Sequence, residues 1–292
     1  MPFSDGRITE HLIDTHTHIA PCVDDGAGSM EMSLAMLRSE AEQGAKVVFL
    51  TPHSSAFGGS RTAYTLGRMR KVQEAAVKEG LPVQICRGCE IYTNRQQIEE
   101  ILQELKDGIL PSMNGTRYVL AEFSTYRGNM DDAKYCLRRY LEEGWIPIIA
   151  HAERYCRTFA TAENIKILKE MGCFVQLNFY DLAREPDDGI RSCAQALLQA
   201  ELADMMGSDA HRMDHRRPEL TSGADYIREH CRAEYAADVL WRNAAKLLLG
   251  QEATRAVQKS KGNQSGKSYL WGNLSNKTSS RERCKKADYV CL

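Results

Sequence analysis

The sequence predicts an α/β protein folded as one barrel-like domain, and three observations carry that reading. Short, almost wholly apolar runs recur along the chain, as expected of parallel strands covered on both faces. Helical patterns separate them, most stopping at a glycine, so that a βα order repeats seven times. The residues that end the apolar runs are histidines and carboxylates rather than further apolar groups.

The first strand, residues 11–15, leads into Asp14-Thr15-His16-Thr17-His18 and then Asp24-Asp25-Gly26. Extended backbone alternates its side chains with period two, so His16 and His18 leave on one face. Two neutral imidazoles held that way can share a metal ion, and Asp25 offers an oxygen ligand nearby. A helix is predicted over 29–44, with Ser29 three residues before Met32 and with Leu34, Met36 and Leu37 among polar residues. Strand 47–51 leads to His53, and a loop rich in glycine and serine, 54–60, precedes a helix over 65–80. Strand 83–88 ends at Glu90, before a helix over 94–106; strand 118–121 ends at Glu122, before one over 131–144. Strand 147–150 ends at His151, and a helix over 162–172 follows. Strand 174–177 ends at Asn178, before a helix over 190–202, and strand 203–207 ends at Asp209 and His211.

In a parallel barrel these strand ends converge on one rim, where active sites are built. Five of the eight histidines in the chain fall there. A lone histidine at such a place is usually a core or capping residue, but the set as a whole points to a metal site. Arg212, Arg216 and Arg217 come next, then helices predicted to 234 and over 235–250, where Leu240, Trp241, Leu247 and Leu248 read as core. From 251 to 292 Lys, Arg, Ser, Asn and Gly dominate without a period, which reads as a basic, disordered tail.

At 292 residues, 43% hydrophobic and 26% charged, the composition is that of an ordinary soluble protein. A net charge of -1 argues against a nucleic-acid binder, which would be basic. Residues 1–10 have no apolar core of a signal peptide, and no run approaches the roughly 18 apolar residues of a membrane span. The expected location is the cytoplasm. The ten cysteines are scattered, in keeping with buried free thiols. Cys86 and Cys89 form Cys-x-x-Cys, but their odd offset on a strand sends them to opposite faces.

The motifs DTHTHIAPCVDDGAGSMEMSL, VVFLTPH, GCEIY, LAEF, IPIIAHAERY, QLN and GSDAHR follow one another in this order. Together they resemble the PHP (polymerase and histidinol phosphatase) superfamily. Within it, the chain is most similar to the bacterial manganese-dependent tyrosine-protein phosphatases of capsule and exopolysaccharide operons, over about residues 11–250. The resemblance implies a distorted (β/α) barrel of seven units as a phosphatase domain, 1–250, ahead of the tail. It implies three divalent ions, with Mn favoured and Fe or Zn as alternatives. One ion would take His16, His18, Glu90 and Asp209. A second would take Glu122 and His151 and share Glu90, and the third Asp25, His53 and His211. The implied partner is a phosphotyrosine-bearing protein, a bacterial tyrosine kinase tail. The chain departs from the pattern in the loop 54–60 and in residues 179–185, both beside the expected cleft.

Mixed imidazole and carboxylate donors suit Mn, Fe or Zn better than Ca or Mg. Three divalent ions against the four carboxylates Asp25, Glu90, Glu122 and Asp209 leave two positive charges, which match a phosphate dianion. Arg154, three residues after His151, should reach the rim and grip a phosphoryl oxygen with its planar fork, with one of Arg212, Arg216 and Arg217 as a helper, foremost Arg212 or Arg216. A phenolate, with pKa about 10, leaves with less help than an alkoxide. Histidinol phosphate or another small monoester is the alternative substrate. An amidohydrolase would usually place a lysine where this chain has Glu122. A cysteine phosphatase could use the Cys-x5-Arg of Cys89 and Arg95, but Glu90, Ile91 and Tyr92 would oppose an anion there. A non-enzymatic assembly role has no use for an intact ligand set.

Overall fold

The computed structural model describes residues 11–184 and 188–248; the tail read from 251 onward lies outside the described residues. Among the described residues eight parallel strands form two sheets. β1 (Leu12–Thr17), β2 (Ala45–Leu50) and β3 (Gln84–Arg87) make the first, in that order. β4 (Glu90–Tyr92), β5 (Tyr118–Glu122), β6 (Ile146–Ile149), β7 (Phe174–Asn178) and β8 (Met205–Gly207) make the second. The predicted strand 83–88 therefore stops at Arg87 and resumes at Glu90. Arg87 pairs with Leu50 and Glu90 bridges to His53, so β3 and β4 keep one register against β2 and its extension. A second bridge, Thr17 to Ala210, joins the end of β1 to the segment after β8.

Both faces of the strands are covered, which is why their sequences are continuously apolar. Val48, Leu50, Val119, Ala121, Ile149 and Val175 pack outward in the larger core. Ile13, Val47, Phe49, Leu120, Ile148 and Met205 pack in a second core, closed by Ala244 and Leu247. Among the described residues three of the eight α-helices carry a side-chain N-cap. Ser29 accepts from the Met32 N–H to start α1 (Met30–Glu42), and Asn129 accepts from Asp132 to start α4 (Met130–Glu142). Thr161 does the same for α5 (Ala162–Glu170) through Asn164. Between them lie α2 (Ser60–Lys78) and α3 (Ile98–Lys106), and beyond them α6 (Ile190–Gln199), α7 (Thr221–His230) and α8 (Ala233–Ala237).

Four predicted helices change. α2 begins at Ser60 rather than 65, because its first turn holds none of the buried residues, Thr65, Met69, Val72 and Ala76, that produce the pattern. α3 begins at Ile98 rather than 94, because the Asn94 side chain accepts from the Gln96 and Gln97 N–H groups and makes a turn first. The helices read to 234 and from 235 become α7, α8, a π turn over Asp238–Arg242 and a 3-10 turn over Ala244–Leu248. Tyr235 lies inside α8, its hydroxyl tied to the backbone of Ala203. Among the described residues no helix is long and apolar enough to cross a membrane.

Candidate metal centre

The nine side chains read as candidate ligands come together at the strand ends. His16 and His18 leave β1 on one face with their Nε2 atoms 3.2 Å apart. Two close approaches allow it. A Cβ on Gly207 would lie 2.6 Å from the His16 Cβ, and one on Gly26 would run into the His18 carbonyl. Below them the Asp14 carboxylate accepts from the His16 and Ser208 N–H groups, which fastens β1 to the end of β8.

His16 Nε2 is 3.3 Å from Glu90 Oε2 and 3.6 Å from Asp209 Oδ1; His18 Nε2 is 3.3 Å and 3.5 Å from the same atoms. Four donors held at about 2.1 Å around a tetrahedral cation stand roughly 3.4 Å apart. The spacings in this group are of that size. Around this group, His151 Nε2 lies 2.9 Å from Glu90 Oε1 and 3.9 Å from Glu122 Oε1. His53 Nδ1 lies 2.9 Å from Glu90 Oε2, and Asp25 Oδ1 is 3.4 Å from His53 Nε2 and 3.6 Å from His211 Nε2. These residues form four overlapping clusters, each with its ligand atoms within 4.8 Å of one another.

Glu90 Oε2 is buried and receives no hydrogen bond of sound geometry among the described residues, although three imidazoles crowd it. Burial and the charge of Glu90 push Glu122 up to about 7. Burial, and the charge of His18 after it, pull His211 down to about 3. Carboxylates pressed together in this way lack positive charge, and divalent cations fit that need.

The imidazoles are aimed by groups behind them, which sequence reading missed. Asp24, not only Asp25, belongs to the site: its Oδ2 accepts from His18 Nδ1 at 2.9 Å and from the His53 N–H at 3.1 Å. Asp25, by contrast, is 67% exposed and turns its carboxylate to His53 and His211. Gln176 Oε1 accepts from the His151 N–H at 2.9 Å and stands 3.3 Å from His16 Nδ1. His211 Nδ1 is 2.9 Å from the Asp209 carbonyl, which leaves its Nε2 facing inward. Such partners set tautomer and ring orientation. Asp24 was legible as half of an Asp-Asp pair; Gln176, inside an apolar run, was not.

The expected arginines divide. Arg154 lies at the rim, with Nε 3.1 Å from Asp181 Oδ2 and Nη1 2.8 Å from Asp209 Oδ2. Arg216 also reaches Asp209 Oδ2 and stands 3.3 Å from His211 Nε2. Arg212 does not join them: it is folded onto Asp214, two residues on, with Nε–Oδ1 at 2.9 Å. Asp181, fully buried, also accepts from Arg184 and Asn178. A groove of about 1060 Å3 opens from Arg154, Arg216 and Ser208. The Cys-x5-Arg reading has no support here. Cys89 is buried and its thiol is pushed well up, by burial and by Glu90, while Arg95 is exposed and paired with Asp132.

The family model for capsular polysaccharide synthesis, CpsB/CapC, matches residues 12–249. Tyrosine-protein phosphatase CpsB of Streptococcus pneumoniae is 29% identical over 246 residues, 82% of this chain and 99% of that protein. Tyrosine-protein phosphatase YwqE of Bacillus subtilis (strain 168) is 29% identical over 253 residues, 84% of this chain and 94% of that protein. A chain from the crystal structures of YwqE and CpsB, described as metal-dependent tyrosine phosphatases, matches with a TM-score of 0.71 at 28% identity. That match covers 82% of this chain and 95% of the other.

Proposed function

Because the chain belongs to the CpsB/CapC family of capsular polysaccharide synthesis, we propose that it is a metal-dependent protein-tyrosine phosphatase. The observation that carries the reading is one rim on which nine metal-ligating side chains and two arginines meet. Its substrate is a phosphotyrosine-bearing protein, a bacterial tyrosine kinase tail, met in the cytoplasm. The barrel is the distorted seven-unit form of the PHP type, with β3 and β4 counted as one interrupted strand. The two bridges that join the sheets support that closure. The phosphatase domain spans 1–250.

The reading assigns three divalent ions, Mn before Fe or Zn: His16, His18, Glu90 and Asp209 for one, Glu122, His151 and Glu90 for the second, Asp25, His53 and His211 for the third. The side chains themselves cluster as His18, Asp25, His53 and His211, as His16, Glu90 and His151, as His16, His18 and Asp209, and as His53, Glu90 and Glu122, overlaps that support shared ligands. When bound, such ions supply Lewis-acid stabilisation and lower the pKa of water near a phosphoryl group. The protein's own part is positioning. Asp24, Gln176 and the Asp209 carbonyl hold the imidazoles so that their inner nitrogens face one space. Among the described residues Arg154 is held at Nε by Asp181 and at Nη1 by Asp209, which leaves Nη2 to donate to a phosphoryl oxygen. Arg216 adds positive charge on the other side of Asp209. A phenolate, with pKa about 10, leaves with little proton transfer.

A small-monoester phosphatase, for which histidinol phosphate is the test substrate, is the second reading. The volume of the groove, about 1060 Å3, favours a protein substrate over it. An amidohydrolase is third; at 12% identity and a TM-score of 0.55, the likeness to a lactonase from Listeria monocytogenes shows the fold alone. Metal-reconstituted protein assayed on a phosphotyrosine peptide, on histidinol phosphate and on a simple amide separates the three. Preference for the peptide is expected. Faster turnover of histidinol phosphate would replace the reading, and amide hydrolysis without phosphate release would end it.

A further inference from the structure

We propose that the groove beside the metal centre recognises acidic residues flanking a phosphotyrosine. The inference deepens the phosphatase reading and rests on it for the phosphate end alone. Cationic side chains occur along the groove at different depths. Arg154 and Arg216, 22% and 33% exposed, lie nearest the metal centre and are both engaged with Asp209. Arg157 and Arg217 lie further out; Arg217 is 70% exposed.

Among the described residues the outer pair has little carboxylate to meet its charge. Arg157 donates to the main-chain carbonyl of Asp188 at 3.0 Å, and no carboxylate meets it among the described residues. Arg217 stands 4.0 Å from Glu219, a loose contact in water. The other carboxylates of the groove are already engaged: Asp214 accepts from Arg212 at 2.9 and 3.3 Å, and Asp188 faces Arg184 at 3.6 Å. Two aromatic rings of the groove lining face solvent, Tyr126 at 91% and Tyr180 at 44% exposure. An aromatic ring with its phosphate toward Arg154 and Arg216 can lie against them.

Anionic side chains before and after that tyrosine then fall to Arg157 and Arg217. Exposed charges of this kind add modest affinity but steer encounter and select partners. A peptide is favoured over a nucleic acid because the cations are few and end at a single phosphate site, on a chain of net charge -1.

The test uses the full-length, metal-loaded protein and three phosphotyrosine peptides of equal length, flanked by Glu, Gln or Lys, with p-nitrophenyl phosphate alongside. The expected result is kcat/KM three- to tenfold higher for the Glu peptide than for the Gln peptide, and lowest for the Lys peptide. Arg157→Glu should level or reverse that order and leave p-nitrophenyl phosphate turnover unchanged. Equal rates on all three peptides would overturn the proposal. So would an Arg157→Glu variant that loses both activities in parallel, or displacement of the Glu peptide by a single-stranded oligonucleotide at equal concentration. If no monoester is hydrolysed, the phosphatase reading fails, and the groove is judged separately by fluorescence anisotropy with non-hydrolysable phosphonate versions. Tighter binding of the acidic peptide supports it there, and equal binding refutes it.

Discussion

Replacing Arg154 with alanine separates two jobs that the structure gives one side chain. Its Nε is bound to the fully buried Asp181 and its Nη1 to Asp209, so the side chain is part of the fold as well as of the rim. On the fold side, Asp181 loses one of two guanidinium partners but keeps Arg184 at 3.1 Å and Asn178 at 3.2 Å. Weakening a buried charged hydrogen bond without orphaning the group should cost about 2 kcal/mol. For a domain of this size that is a fall in Tm of about 6 °C. On the chemical side, a charge-assisted contact to phosphate is worth about 1.5–3 kcal/mol, or roughly ten- to hundredfold in kcat/KM. Arg154→Lys should recover part of the activity, because it keeps the charge and loses the fork. The assay is kcat/KM on an aryl phosphate and on a phosphotyrosine peptide, with metal content and Tm measured on the same samples. Unchanged kinetics on both substrates at full metal occupancy would show that the phosphate grip lies elsewhere.

Three other perturbations test different parts of the site. Glu90→Gln should cut turnover at least a hundredfold and lower metal content in a folded protein, because Glu90 faces His16, His18, His53 and His151 together; a metal-replete, active variant would sink the shared-ligand scheme. Asp24→Asn weakens the bond that aims His18, and metal affinity measured by chelator competition should fall about ten- to hundredfold. Unaltered affinity would assign Asp24 to loop structure alone. Glu40 tests linkage away from catalysis. Burial, with the charge of Asp14 second, raises its folded pKa well above 4.5, so the folded state holds a proton that the unfolded state releases. Its contribution to stability is therefore present below pH about 4.5 and is lost as pH rises toward the folded value. Glu40→Gln should gain in Tm relative to the parent between pH 5 and pH 8, and a difference that stays constant with pH would contradict the argument.

Much of the rim was legible because its logic is local. A side chain at the carboxyl end of a parallel strand has little choice but to face that rim, so His53, Glu122, His151 and Asp209 could be picked from where apolar runs stop. The same holds for His16 and His18, since period two on a strand sets their common face. Helix starts were legible where a cap was present, at Ser29, and misplaced where the first turn carries no core residue, at Ser60.

What tertiary structure alone decided is where loop and mid-strand polar groups point. Nothing in the sequence says that Asp24 turns inward to His18 while Asp25 stays exposed, or that Arg212 folds onto Asp214 while Arg216 crosses to Asp209. Gln176 sits in a run that reads as core, yet its amide braces both His16 and His151. Arg154 is held by Asp181, 27 residues away in sequence. Periodicity sets the direction of a side chain only while the backbone is regular. In loops, and for polar groups inside the barrel, direction follows from pairing every buried donor, acceptor and charge, and those partners come from distant parts of the chain.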